Sequence, residues 1–195
     1  MPIFRYLPRT NLGAPQAPQK VRAVNKIIRN GLGGNLDTIS AMRQLARSRA
    51  KEPAIRALAM NIIQQAGVAS HNYRDEALAI GRYIQANMRY LRDIDGVEQL
   101  QDPMLMLQSL QKGNAMGDCD DMSLMIATLL ISIGAQPYFR TVRYKGAMGP
   151  YNHIYVVCYD NNHKQKSQRI VLDAIVKDKP MGYEIPHASG DEYRV

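Results

Sequence analysis

The chain has 195 residues, 46% hydrophobic and 22% charged, ordinary globular values that fit one domain with room for a proper core. Two cysteines are too few for a disulfide framework, the longest apolar run (122–133) is too short and interrupted to span a bilayer, and the N-terminal residues do not read as a signal peptide, which together point to a soluble, reducing setting. The net charge of +8 is uneven: residues 1–93 hold 15 Lys and Arg against 5 Asp and Glu, and residues 94–195 hold 10 against 12.

Residues 1–20 contain four prolines and no periodicity, which predicts an extended arm in which Phe4, Tyr6 and Leu7 are candidate anchors on a partner. Val21, Val24, Ile27, Ile28 and Leu32 follow helical spacing, and Gly33-Gly34 is the expected stop. A second helix begins near Asp37 and is interrupted by Pro53. A third carries Ile55, Leu58, Ala59, Ile62 and Ile63 and closes at Gly67. Asp75 opens a further helix with Leu78, Ile84, Met88 and Leu91 toward the core, ended by a turn at Asp93–Gly96. Asp102-Pro103 is a cap and first-turn pair for a short helix that stops at Gly113.

After Gly113 the pattern changes. Cys119 to Ile133 predicts a buried helix ended at Gly134. Three strand-like runs follow, 137–144, 151–159 and 169–174, separated by turns at Lys145-Gly146 and Asp160-Asn161-Asn162. Helices first and an antiparallel sheet afterwards make the fold class α+β. The expected organisation is an arm over 1–20, a basic helical region over 21–70 and a core over 71–195.

The chemistry concentrates in Gly117-Asp118-Cys119-Asp120-Asp121. Asp118 is a natural N-cap, which places Cys119 in the first helical turn, facing unpaired N–H groups and the positive end of the macrodipole. Both favour the thiolate and depress its pKa, while the neighbouring carboxylates oppose it. The N–H of Cys119 is a candidate oxyanion donor. A thiolate nucleophile needs a base, and His153 is the histidine carried by a strand. Alternation puts it on one sheet face with Tyr155 and Val157, opposite Ile154, Val156 and Cys158. Asp173 closes the apolar run Ile170-Val171-Leu172 and is the candidate orienter of that imidazole. Cys119, His153 and Asp173 then fill the roles of nucleophile, base and orienter. A metal site built from Cys119, Asp120, Asp121 and His153 is disfavoured, because adjacent aspartates diverge on a helix and no further Cys or His stands at zinc-ligand spacing. No phosphate-binding loop is present, and no metal or cofactor is expected.

The stretches GDCDDMSLMIATLLISIGA, NHIYVV and VLDA resemble the transglutaminase-like superfamily of papain-like cysteine enzymes over roughly residues 75–175. The resemblance implies the same three roles for Cys119, His153 and Asp173, and a structural role for Asp121. That family often has a tryptophan after the histidine. This chain has Tyr155 two residues on and no tryptophan. Tyr90–Asp93 and Gly96–Pro103 are similar to segments of transglutaminase-like proteins of bacteriophages and prophages. In papain-like enzymes a side chain ahead of the cysteine helps to build the oxyanion hole, and Gln101, then Gln99, are the candidates here.

The expected function is thiol-dependent acyl transfer, a cysteine peptidase or amidase acting on a protein or peptide. The alternative is a phage virion or assembly protein with a dormant site, docked on other structural proteins through the basic half and residues 1–20. The resemblance implies the host cytoplasm or the virion as the location. The basic half also admits nucleic-acid contact, although no recognisable motif supports it. Residues 145–150 are the expected rim of a substrate cleft.

Overall fold

The computed structural model describes residues 32–92, 99–147, 151–160 and 168–195. In chain order these form α1 (Leu32–Arg49), α2 (Pro53–Gln65), α3 (Tyr73–Asn87), β1 (Arg89–Tyr90), α4 (Pro103–Lys112), β2 (Met116–Gly117), α5 (Cys119–Ser132), β3 (Tyr138–Tyr144), β4 (His153–Tyr159), β5 (Arg169–Leu172) and β6 (His187–Arg194). The architecture is α+β: a helical layer against an antiparallel sheet of order β5-β4-β3-β6, with β1 and β2 as a separate parallel pair. Among the described residues, no helix is long and apolar enough to cross a membrane.

α5 is the hub. Every residue from Asp121 to Leu130 is buried, as expected of a helix that is apolar all round. It packs on α1, α2 and α3 on one side and on β4 on the other. β4 is also buried along its whole length, and its alternation divides two cores. Ile154, Val156 and Cys158 join Ile170 and Leu172 in the main core under the helices. Tyr155 and Val157 join Val142 and Val171 on the outer face of the sheet.

The caps follow their chemistry. Asp102 accepts a hydrogen bond from the Met104 N–H at 2.9 Å, Pro103 starts α4, and Gly113 ends it at φ 72°, a conformation that a Cβ would penalise.

Two expectations are corrected. Gly33-Gly34 does not stop a helix but lies in the first turn of α1, where Gly34 is buried and packing outweighs its poor propensity. Leu91 does not face the core. α3 ends at Asn87, the chain turns to pair with β2 (Arg89 N–H to Ala115 O, 3.0 Å; Leu91 N–H to Gly117 O, 2.9 Å), and Leu91 is 55% exposed. The C-terminal residues form β6, an edge strand whose sequence HASGDEYR has no apolar alternation to announce it. The arm and the turns at 93–96 and 161–162 lie outside the described residues.

Candidate active site

Asp118 caps α5 by accepting from the Asp120 and Asp121 N–H groups at 2.9 and 3.1 Å. Cys119 is therefore the first helical residue, and its own N–H has no carbonyl behind it to bond. The turn into the helix is locked by Asp121. This carboxylate is 1% exposed and accepts from the Gln101 N–H at 2.8 Å and from the Gln101 side-chain amide at 2.6 Å. Its side chain lies so close to Gly117 that a Cβ there would stand 2.6 Å from the Asp121 Cβ. Glycine before the capped cysteine is thus a packing requirement.

One turn of α5 grips the start of β4. Ser123 donates to the Ile154 carbonyl at 3.2 Å, and the Ile154 N–H points at the Cys119 sulfur. The thiol accordingly sits against the residue that follows His153. His153 and Asp173 are both 4% exposed, and Nε2 lies 2.8 Å from the Asp173 carboxylate. Strand register explains the pairing. Val156 stands opposite Leu172, so one further step puts Asp173 opposite Tyr155, on the face that carries His153. A carboxylate only accepts, which assigns the proton to Nε2 and leaves the Nδ1 lone pair available. Asp173 also accepts from the Ile175 N–H at 3.3 Å, so its position is fixed from both sides.

The resting thiol differs from the expectation of a depressed pKa. Burial pushes it well above its ordinary value, and the charges of Asp120 and Asp118 add to the rise. The Ile154 N–H pulls the other way. The half-buried thiol donates to Asp120 at 3.4 Å. Desolvation and two nearby carboxylates thus act against the helix terminus at this sulfur.

Gln101 is not poised over the sulfur. Its amide donates to Met116 O at 2.8 Å as well as to Asp121, which engages both of its N–H bonds and makes it a support for the helix entrance. Gln99 is exposed. Of the four residues weighed for a metal, Asp121 is spent on Gln101 and His153 on Asp173. Ligand-type atoms of Asp118, Cys119 and Asp120 lie within 4.8 Å of one another, but Asp118 already holds helix amides. Of the expected rim, residues 148–150 lie outside the described residues, and Gly146 turns at φ 81°.

No family model and no curated protein matches the chain. Among solved structures, it is similar to a protein from Cytophaga hutchinsonii described provisionally as a cysteine protease, with 14% identity and a TM-score of 0.43 over 72% of this chain and 51% of that one. The chain spans about half the length of that protein.

Three tyrosines complete the site. Tyr144 stacks on His153 with ring centroids 5.6 Å apart and planes inclined by 22°, and Tyr155 flanks the imidazole at 5.5 Å and 36°. Burial raises the pKa of the Tyr144 hydroxyl, and the Asp173 carboxylate adds to the rise. Tyr90, 47% exposed, is raised by burial and then by Cys119. Strand alternation placed Tyr155 beside His153. Tyr144 arrives through the pairing of Val142 with His153, a register that the sequence does not state.

Proposed function

We propose that the protein is a thiol-dependent acyl-transfer enzyme, a cysteine peptidase or amidase in which Cys119 attacks, His153 accepts the thiol proton and Asp173 orients the imidazole. The observation that carries this reading is the buried 2.8 Å His153–Asp173 pair set against the first turn of the Cys119 helix. A strand-borne imidazole held by a buried carboxylate is costly to maintain unless its other nitrogen has work to do.

In this mechanism the thiol proton passes to His153 Nδ1 as sulfur attacks the carbonyl carbon. The C–O π electrons become an oxyanion beside the Cys119 N–H. The imidazolium then returns the proton to the departing amine, and the C–N bond breaks to leave an acyl thioester. Water, deprotonated by His153, releases the acid. The thiol donates to Asp120 before attack, and the attack exchanges that contact for the transfer to His153.

A second reading draws on the burial and the carboxylates that raise the Cys119 thiol pKa: a phage virion or assembly component whose site is dormant, docked through the basic helical half and residues 1–20. Phage origin is part of either reading and rests on the sequence resemblance.

Incubation with p-nitrophenyl acetate, followed by peptide mass spectrometry, separates the two. The enzyme reading expects acetylation of Cys119 with release of p-nitrophenolate, about 100-fold or more slower in His153→Ala, while Cys158 stays unmodified. A folded wild type that leaves Cys119 free, or a His153→Ala variant acetylated at the same rate, overturns the enzyme reading and favours the dormant one.

A further inference from the structure

The two aromatic rings on His153 are held by different means, and the difference assigns them different roles. Tyr155 is anchored at its hydroxyl, which donates to Glu184 at 2.5 Å and accepts from Arg140 at 3.1 Å. That network belongs to the outer face: Arg169 donates to Glu184 and Glu192, and Arg140 donates to Glu192 and bonds His187. Tyr155 is thus built into the sheet.

Tyr144 is fixed through its backbone. Its N–H donates to the side chain of Asn152 at 3.1 Å, and the Asn152 N–H donates to Val142 O at 3.1 Å. Asn152 immediately precedes His153, so one side chain ties the ring-bearing residue to the base it covers. A register shift between Arg143 and Tyr144 also falls at this point: Arg143 pairs with Ser189 but Tyr144 pairs with His187. Irregularities of this kind re-aim a side chain at the end of a ladder. Here the side chain is aimed onto the imidazole face.

We infer that Tyr144 is a positioning residue for His153, and that its ring both holds the imidazole plane on Asp173 and favours the imidazolium formed when Cys119 gives up its proton. The inference rests on the reading of His153 as the base. A cation held near 6 Å or closer to an aromatic centroid is attracted to the ring face, and both flanking rings meet that distance. The groups against His153 are Asp173 beyond β5, Tyr144 on β3 and Tyr155 on β4, and the Cys119 sulfur lies at the N–H of the next residue, Ile154. Arg140 and Glu184 stand behind Tyr155, and Tyr90 on β1 lies beyond Cys119. Asp173 and the two ring faces would meet a positive charge formed on the imidazole, and the Arg140 guanidinium behind Tyr155 is paired with Glu184 at 3.3 Å. Sulfur is pushed toward the protonated thiol, so help for the imidazolium acts where the pair needs it.

The test compares the pH dependence of iodoacetamide alkylation at Cys119 in wild type, Tyr144→Phe, Tyr144→Leu and His153→Ala, with the folded state of each checked by thermal melting. The prediction is that His153→Ala removes the alkylation seen near neutral pH. Tyr144→Leu should lower that component roughly 2- to 30-fold, the span expected for loss of one cation–π contact. Tyr144→Phe, which keeps the ring, should restore it. NMR of the His153 ring protons in a Cys119→Ala background gives a second readout that does not depend on the nucleophile: the ring-current shift from the stacked Tyr144 should be lost in Tyr144→Leu and hold in Tyr144→Phe. If Tyr144→Leu matches wild type, or Tyr144→Phe is as impaired as Tyr144→Leu, the ring is not the positioning element and the inference fails alone. If wild type shows no component that depends on His153, the reading of the site fails and takes this inference with it.

Discussion

Cys119 and Cys158 are the two thiols of the chain, and burial raises the pKa of both. Cys158 lies on β4, five residues past His153, and its side chain enters the main core among Ile170 and Leu172. Burial pushes it to about 12, against opposed small effects of Arg74 and Asp160. Cys119 heads a helix, keeps partial exposure and has Asp118, Asp120 and the Ile154 N–H around its sulfur. Desolvation alone therefore does not separate the two thiols. The difference lies in what stands within reach when the proton leaves. Cys158 has an apolar core around its sulfur, with Arg74 and Asp160 acting only weakly and in opposite directions. The Cys119 sulfur sits at the N–H of Ile154, the residue after an imidazole whose Nε2 is already committed to a carboxylate.

The largest expected effect comes from removing that carboxylate. Asp173→Ala leaves a buried imidazole N–H without its acceptor. It should cost about 1–3 kcal/mol of stability, read from urea unfolding, and slow the acetylation of Cys119 about 100-fold or more. Cys119 would then respond like Cys158, with reactivity rising only at alkaline pH. Asp173→Asn gives a sharper version. It keeps the volume and offers an amide oxygen to Nε2, so most of the stability should return. If the rate returns fully as well, the charge of Asp173 has no part in driving the proton transfer.

How much of this site was legible depended on how local each signal was. The cap at Asp118, the helix after it, and Gly134 at φ 89° beyond its end are each set by neighbours a few residues away, and the sequence announced them. Gly117 and Asp121 were visible as a motif, but their reason is a contact across one turn and a clamp from Gln101, which is 20 residues distant in sequence. Nothing in the residue order tells a glutamine whether it will face a thiol or a carboxylate. The pairing of His153 with Asp173 was reachable, because Asp173 directly follows a strand whose pattern makes it a neighbour of the His153 strand in an antiparallel sheet. Tyr144 was not reachable, since its place depends on a register and on a partner strand, β6, that has no alternation of its own. The thiol pKa was misjudged for a related reason. The helix terminus is a local feature, whereas burial is a property of the assembled layers.

A smaller effect is expected from the acid that holds the resting thiol. Asp120→Asn removes a charge that raises the Cys119 pKa, and with it the 3.4 Å contact that the thiol donates. The thiol pKa should fall, and alkylation at neutral pH should quicken several-fold, on the order of one exposed charge–charge interaction. Cys158 should not change, because Asp120 is not among the groups that shift it. A slower Cys119 in this variant would show that Asp120 assists the transfer instead of restraining it.

The smallest effect is at the other thiol and appears in stability instead of rate. Cys158 ionises near its ordinary value of 9.0 in the unfolded chain but only at about 12 in the fold. Between those values the native state keeps a proton that the unfolded state releases, so rising pH favours unfolding across that window. The thiol's contribution is fully present below the lower value and lost as pH climbs to the upper one. Tyr159, raised to about 12, mainly by burial, acts in the same direction and is untouched by a change at Cys158. Cys158→Ala should therefore be somewhat less stable than wild type near neutral pH, through lost packing, yet lose stability more gently above it. Urea midpoints under reducing conditions at about pH 8 and about pH 10.5 read the two slopes. Parallel slopes would mean that Cys158 ionises in the fold as readily as in the unfolded chain. The sealed strand thiol would then no longer stand as the inert member of the pair, and the contrast with Cys119 would have to rest on the imidazole alone.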